Sequence, residues 1–111
     1  MENSIDKINI VIESEECNGR VLLLNLIECE MEKEAIYLIK NKNIDLNKND
    51  DFGLLVLFRA IVSNMDELAT ELIKRIDKYY NNQIFLGKTI LMYLILENMK
   101  KSTLELLKKK I

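Results

Sequence analysis

The 111-residue chain has no proline, tryptophan or histidine, and only three glycines and two cysteines. Without proline nothing in it forces a helix to kink or break. Leu, Ile, Glu and Lys are plentiful, so helix is the first expectation. The missing histidine removes the commonest general base, the commonest metal ligand and every Ser-His or Cys-His dyad at once. The chain is therefore read as a non-enzyme, with no cofactor and no metal. Cys17 and Cys29 alone cannot complete a four-ligand zinc site, and Cys29 is expected to act as a small apolar filler. No basic start followed by an apolar stretch is present, which predicts a cytoplasmic protein with reduced thiols. The longest apolar run, Ile90 to Leu96, is far too short for a membrane span.

What is present describes one folded domain. The chain is 49% hydrophobic and 31% charged, a balance of globular rather than disordered sequences. The net charge of −2 is unevenly spread. Residues 1–34 carry nine acids and three bases, a net of −6, and residues 35–111 carry nine acids and thirteen bases, a net of +4. Such an asymmetry either steers a partner or marks two differently solvated ends of an elongated molecule.

The most informative feature is self-similarity. Gly19, Gly53 and Gly87 are 34 residues apart. Four residues after each stand Leu23, Leu57 and Leu91; eight after, Ile27, Ile61 and Ile95; twelve after, Met31, Met65 and Met99. Further on the chain reads Leu38-Ile39-Lys40, Leu72-Ile73-Lys74 and Leu106-Leu107-Lys108. A repeat of this length implies stacked supersecondary units, each unable to bury its apolar face alone. Within each unit two apolar stripes have helical spacing, the first through 21–29, 55–63 and 89–97 and the second through about 32–41, 66–76 and 100–110. Between them, eleven after the glycine, come Glu30, Asn64 and Asn98; asparagine tolerates the left-handed conformation that ends a helix. Polar, turn-rich stretches from Asn43 to Phe52 and from Asp77 to Leu86 separate the units. The expected architecture is all-α: helix, turn, helix and long connecting loop, in units 19–52, 53–86 and 87–111. Residues 1–18 match no unit and are expected to form a cap or partial repeat. Lys100, Lys101, Lys108 and Lys109 make the last helix polar on one side, as the end of a stack requires.

Tetratricopeptide repeats are about 34 residues long but join their helices by short turns. Ankyrin repeats are about 33 residues long, with a long hairpin loop. Over residues 19–111 the sequence resembles the ankyrin family. The family's Gly-Thr-Pro-Leu-His segment is echoed by Gly87-Lys88-Thr89-Ile90-Leu91-Met92, with glycine and leucine kept in all three units and proline and histidine in none. Its Val-x-x-Leu-Leu becomes Ala35, Leu38 and Ile39, then Ala69, Leu72 and Ile73, then Thr103, Leu106 and Leu107. Its Ala-Asp-Val-Asn loop is echoed by Ile44-Asp45-Leu46-Asn47. The resemblance implies an ankyrin-type helix-turn-helix repeat solenoid of three units with connecting hairpin loops.

Three echoes of binding chemistry fail on their residues. Asn82 to Thr89 ends in Gly-Lys-Thr like a phosphate loop, but Asn82 stands where the first glycine belongs, and no preceding strand is expected. Asp45, Asn47 and Asn49 alternate as in a calcium loop, yet Asp50 and Val56 fall where its glycine and bidentate glutamate belong. The basic run at Lys108 to Lys110 has no interleaved aromatics, which points to a solvated helix end and away from nucleic acid.

Partners of ankyrin proteins usually contact the hairpin tips and the exposed side of the first helices, a concave face. The resemblance places there Cys17, Asn18, Arg20, Glu28 and Cys29; Asp51, Phe52, Leu54, Val62 and Ser63; and Phe85, Leu86, Lys88, Leu96 and Glu97. Six of these fifteen are large and apolar, all in the second and third units, where a solitary monomer would be polar. Phe52, Leu54, Phe85, Leu86 and Leu96 are thus expected to anchor a protein partner or a second copy, with Val62, Arg20, Glu28, Asp51 and Lys88 around them. The competing expectation is that these apolar residues repack into a thicker core. Two functions follow: a non-catalytic protein-interaction module, or a small inhibitor, such as an immunity or phage-encoded anti-defence protein, that occludes a toxin or nuclease. A third and weaker reading is an enzyme using Asp45, Asp50 and Asp51, for which no paired arrangement is visible.

Overall fold

The computed structural model describes residues 19–47, 51–76, 84–85 and 88–109. The expected cap over residues 1–18 lies outside them. Six helices are described: α1 (Gly19–Glu28), α2 (Glu32–Asn41), α3 (Phe52–Val62), α4 (Asp66–Arg75), α5 (Ile90–Leu96) and α6 (Lys100–Lys109). Besides these, β1 (Ile84–Phe85) and β2 (Lys88–Thr89) form a two-residue antiparallel ladder, with Ile84 opposite Thr89 and Phe85 opposite Lys88. This ladder is the only strand pairing among the described residues. It closes the connection into α5.

Each helix pair turns through the same device. Glu30, Asn64 and Asn98 have φ of 59°, 57° and 57°, the left-handed conformation that ends a helix. The N–H groups of Glu30, Asn64 and Asn98 donate to the carbonyls of Ile27, Ile61 and Ile95. Those of Met31, Met65 and Met99 donate to Leu26, Ala60 and Leu94 at 2.8, 2.9 and 2.9 Å. These two bonds make a Schellman closure, repeated three times in register. The methionine carbonyls then accept from Ala35, Ala69 and Thr103 at 3.0, 2.9 and 3.0 Å, starting the second helix of each pair.

The pairs α1–α2, α3–α4 and α5–α6 pack side by side in two layers. One layer holds α1, α3 and α5 in sequence, and the other holds α2, α4 and α6. Between the layers the leucine and isoleucine columns form one core. Leu23, Leu38, Leu57, Leu72, Leu94 and Leu106 are each fully buried, and burial of such a side chain contributes about 1.5–3 kcal/mol.

The repeated glycine has a steric origin. A Cβ on Gly53 would sit 2.3 Å from the backbone oxygen of Leu46, because the loop leaving α2 crosses the start of α3. On Gly19 a Cβ would meet Ile44 of the same loop, at 3.0 Å from a flexible side-chain carbon. The loop is pinned at its far side, where the Asn47 amide donates to the Arg75 carbonyl at 2.9 Å.

Successive pairs are also joined at the starts of their second helices, which lack a local capping side chain at Met31 and Met65. The Leu68 N–H donates instead to a carboxylate oxygen of Glu32, 3.1 Å away in the preceding unit. One unit on, the N–H groups of Lys101 and Ser102 donate to the two carboxylate oxygens of Asp66, at 3.1 and 2.9 Å. The Ser102 hydroxyl lies 2.6 Å from Asp66 Oδ1 and 2.9 Å from the Asp66 carbonyl oxygen. Ser102 is the single fully buried polar residue among those described. Glu32, Asp66 and Lys100 share one register position, so the carboxylate relay runs twice and ends in a lysine.

Candidate interaction face

The solvent side of the first-helix layer is built from residues two, five, six and nine places after each glycine. On helices that spacing makes one face. Across α1, α3 and α5 it brings together exposed Val21, Leu55, Val62, Met92 and Leu96, with half-buried Leu24, Phe58 and Tyr93 between them. Val62 is 60% exposed and Leu96 64%, high values for large apolar side chains in regular helices. Contacts between neighbouring helices tie the face together. Phe58 and Tyr93 meet edge to face, with centroids 5.4 Å apart and planes at 84°. Arg59 pairs with Glu28 at 3.3 Å, an exposed ion pair that contributes little to stability but ties α3 to α1.

The expected contact residues separate into four groups. Val62 and Leu96 lie exposed on this face, and exposed Glu28 borders it through its pair with Arg59. At the base of the first helices Arg20 is half-buried, its guanidinium 4.5 Å above the half-buried Phe52 ring. It also donates to the Asp45 carbonyl oxygen at 3.2 Å. Phe52 is thus engaged across the α1–α3 junction, next to exposed Asp51, whose carbonyl accepts the Leu55 N–H. Leu54 is a correction: it is 1% exposed and belongs to the hydrophobic core cluster, which withdraws it from any contact face. Phe85 and Lys88 belong to the ladder by their backbones, and Leu86 lies outside the described residues. The thicker-core expectation therefore holds for Leu54 and fails for Val62 and Leu96.

Val21, Leu55 and Met92 are not among the expected contact residues, because those follow the family's positions and not the outer face of each helix. The signal was in the sequence: apolar residues two and five places after a glycine, three apart, on helices whose other stripe already forms the core.

No three His, Cys, Asp or Glu side chains cluster as metal ligands among the described residues. The Asp45 carboxylate accepts the Asn47 N–H at 2.9 Å, a local turn in the loop; Asn49 and Asp50 lie outside the described residues. A cleft of about 440 Å³ between this loop and Arg75 contains Lys42, Asn43, Asp45 and Asn47 among its lining residues, with no nucleophile set against a base. No described helix is long and apolar enough to cross a membrane. No family model, curated protein or solved structure matches the chain.

Proposed function

We propose that the chain is a three-unit stack of ankyrin type and a non-catalytic binding module, which holds a protein partner on the solvent face of α1, α3 and α5. One observation carries the reading: Val21, Leu55, Val62, Met92 and Leu96 line up as exposed apolar residues across three neighbouring helices. A contiguous apolar surface of this kind marks an interaction site more often than an accident of composition. Phe58 and Tyr93 form the aromatic floor of this face and the Glu28–Arg59 pair its edge, so the matching partner surface is largely apolar. The three left-handed turns at one register position support the ankyrin reading, as does the ladder before α5. Cys29 is exposed and so is not the apolar filler expected of it, and its free thiol suits a reducing cytosol.

Photo-crosslinking in the source cell tests the proposal. A photoreactive side chain at position 62 or 96 is expected to capture a defined protein, and one at Lys33, exposed on α2, is expected to capture none. Leu55→Asp should abolish capture from position 96 while the chain stays folded, at a cost of about 1 kcal/mol for a side chain that is 39% exposed. Capture from position 33 alone, or capture from 96 unaffected by Leu55→Asp, refutes the assignment.

A further inference from the structure

The three helix pairs bury equivalent positions unequally. Ile27 and Ile61, eight residues after their glycines, are 1% and 0% exposed, while Ile95 in the same position is 59% exposed. Ile39 and Ile73, twenty after, are 5% and 0% exposed, while Leu107 is 43% exposed. Leu104, 56% exposed, stands beside them. In the first two units these positions lie under the next helix pair, α3 and α4 on the first, α5 and α6 on the second. The third unit offers the same apolar seat, a groove of about 310 Å³ lined by Ile95, Asn98, Met99, Thr103, Leu104 and Leu107.

The charges around the seat specify its occupant. In the inner units Glu32 and Asp66 meet the N–H groups that start the next second helix. In the third unit that place belongs to Lys100, which repels the positive start of a helix and attracts carboxylates. Lys74 reaches Glu105 of the following unit at 4.0 Å, and Lys108 occupies the position of Lys74. Lys100 and Lys108 are exposed and have no ion-pair partner among the described residues. A second copy seated end to end about a two-fold axis would bring the same two lysines to the seam and double the positive charge there. Three large apolar side chains also make a footprint well below the ~800 Å² per partner of a standard stable interface, which suits one helix rather than a domain.

We propose that the open side of the third unit is a docking seat for a single amphipathic helix of a partner protein. The helix lies in the α5–α6 groove, apolar toward Ile95, Leu104 and Leu107, with carboxylates flanking that stripe at Lys100 and Lys108.

Two hydrocarbon-stapled helical peptides with the same leucine stripe, one flanked by Glu and the other by Lys, test it against the full chain labelled with ¹⁵N. The Glu peptide should shift amide resonances of α5 and α6 around Leu104, and the Lys peptide should bind roughly tenfold or more weakly. Leu104→Asp should weaken the Glu peptide at least about tenfold, and K100E with K108E should reverse the preference. Val62→Asp, on the first-helix face, should leave this binding unchanged, so the present proposal and the previous one fail independently. Equal binding of both peptides, no binding at millimolar concentration, or shifts centred on Val62 overturn the proposal. So does self-association abolished by Leu104→Asp, which would make a second copy the occupant.

Discussion

Replacing Asp66 by alanine strips the acceptor from the first turn of α6, and its cost can be worked from the bonds lost. The carboxylate accepts from Lys101 N–H at 3.1 Å and Ser102 N–H at 2.9 Å. Loss of a helix-start acceptor costs about 1 kcal/mol. Leaving a second, buried N–H without an acceptor adds about 1–2 kcal/mol. The Ser102 hydroxyl adds little, since it keeps the Asp66 carbonyl oxygen at 2.9 Å and Thr70 Oγ1 at 3.1 Å. The expected total is about 2–3 kcal/mol, or about 10 °C in Tm for a domain of this size. Urea titration followed by circular dichroism measures it. Asp66→Asn, which keeps one acceptor oxygen, should lose about 1 kcal/mol, and so should Glu32→Ala, which forfeits a single bond at 3.1 Å. A loss below about 0.5 kcal/mol for Asp66→Ala, or one no larger than for Glu32→Ala, would show that the relay does not hold the units together.

Two further substitutions probe the repeat itself. Gly53→Ala places a methyl group 2.3 Å from the Leu46 oxygen and should cost about 1–3 kcal/mol; an unchanged urea midpoint would show that the loop yields freely. Glu30→Gly relieves a left-handed glutamate, φ 59°, and should raise stability by about 0.5–1 kcal/mol, read as a Tm rise that Asn64→Gly fails to match.

Much of the fold was legible because the glycine, leucine and methionine positions recur at a fixed interval, and that interval fixes where each helix sits against its neighbours. The turn at Glu30 was less visible. Glutamate carries no preference for the left-handed region, and its conformation is imposed by the Schellman bonds from Glu30 and Met31. The role of Gly53 was hidden too, since the carbonyl it makes room for belongs to Leu46, seven residues earlier in the chain. On the surface, Val62 and Leu96 were readable from helical spacing, whereas Leu54 was misplaced. It shares its offset from the glycine with Arg20, which is half-buried, so the unit pattern alone does not mark the position as core.

The run of Glu32, Asp66 and Lys100 gives the molecule a direction as well as a length. Each carboxylate suits only the helix that comes next, so the units are not interchangeable parts. A chain shuffled to place the third unit before the second would point an ammonium group at a helix start, where an anion belongs. Similar as they look in sequence, the third segment cannot take the place of either of the other two, each of which offers a carboxylate to the unit after it.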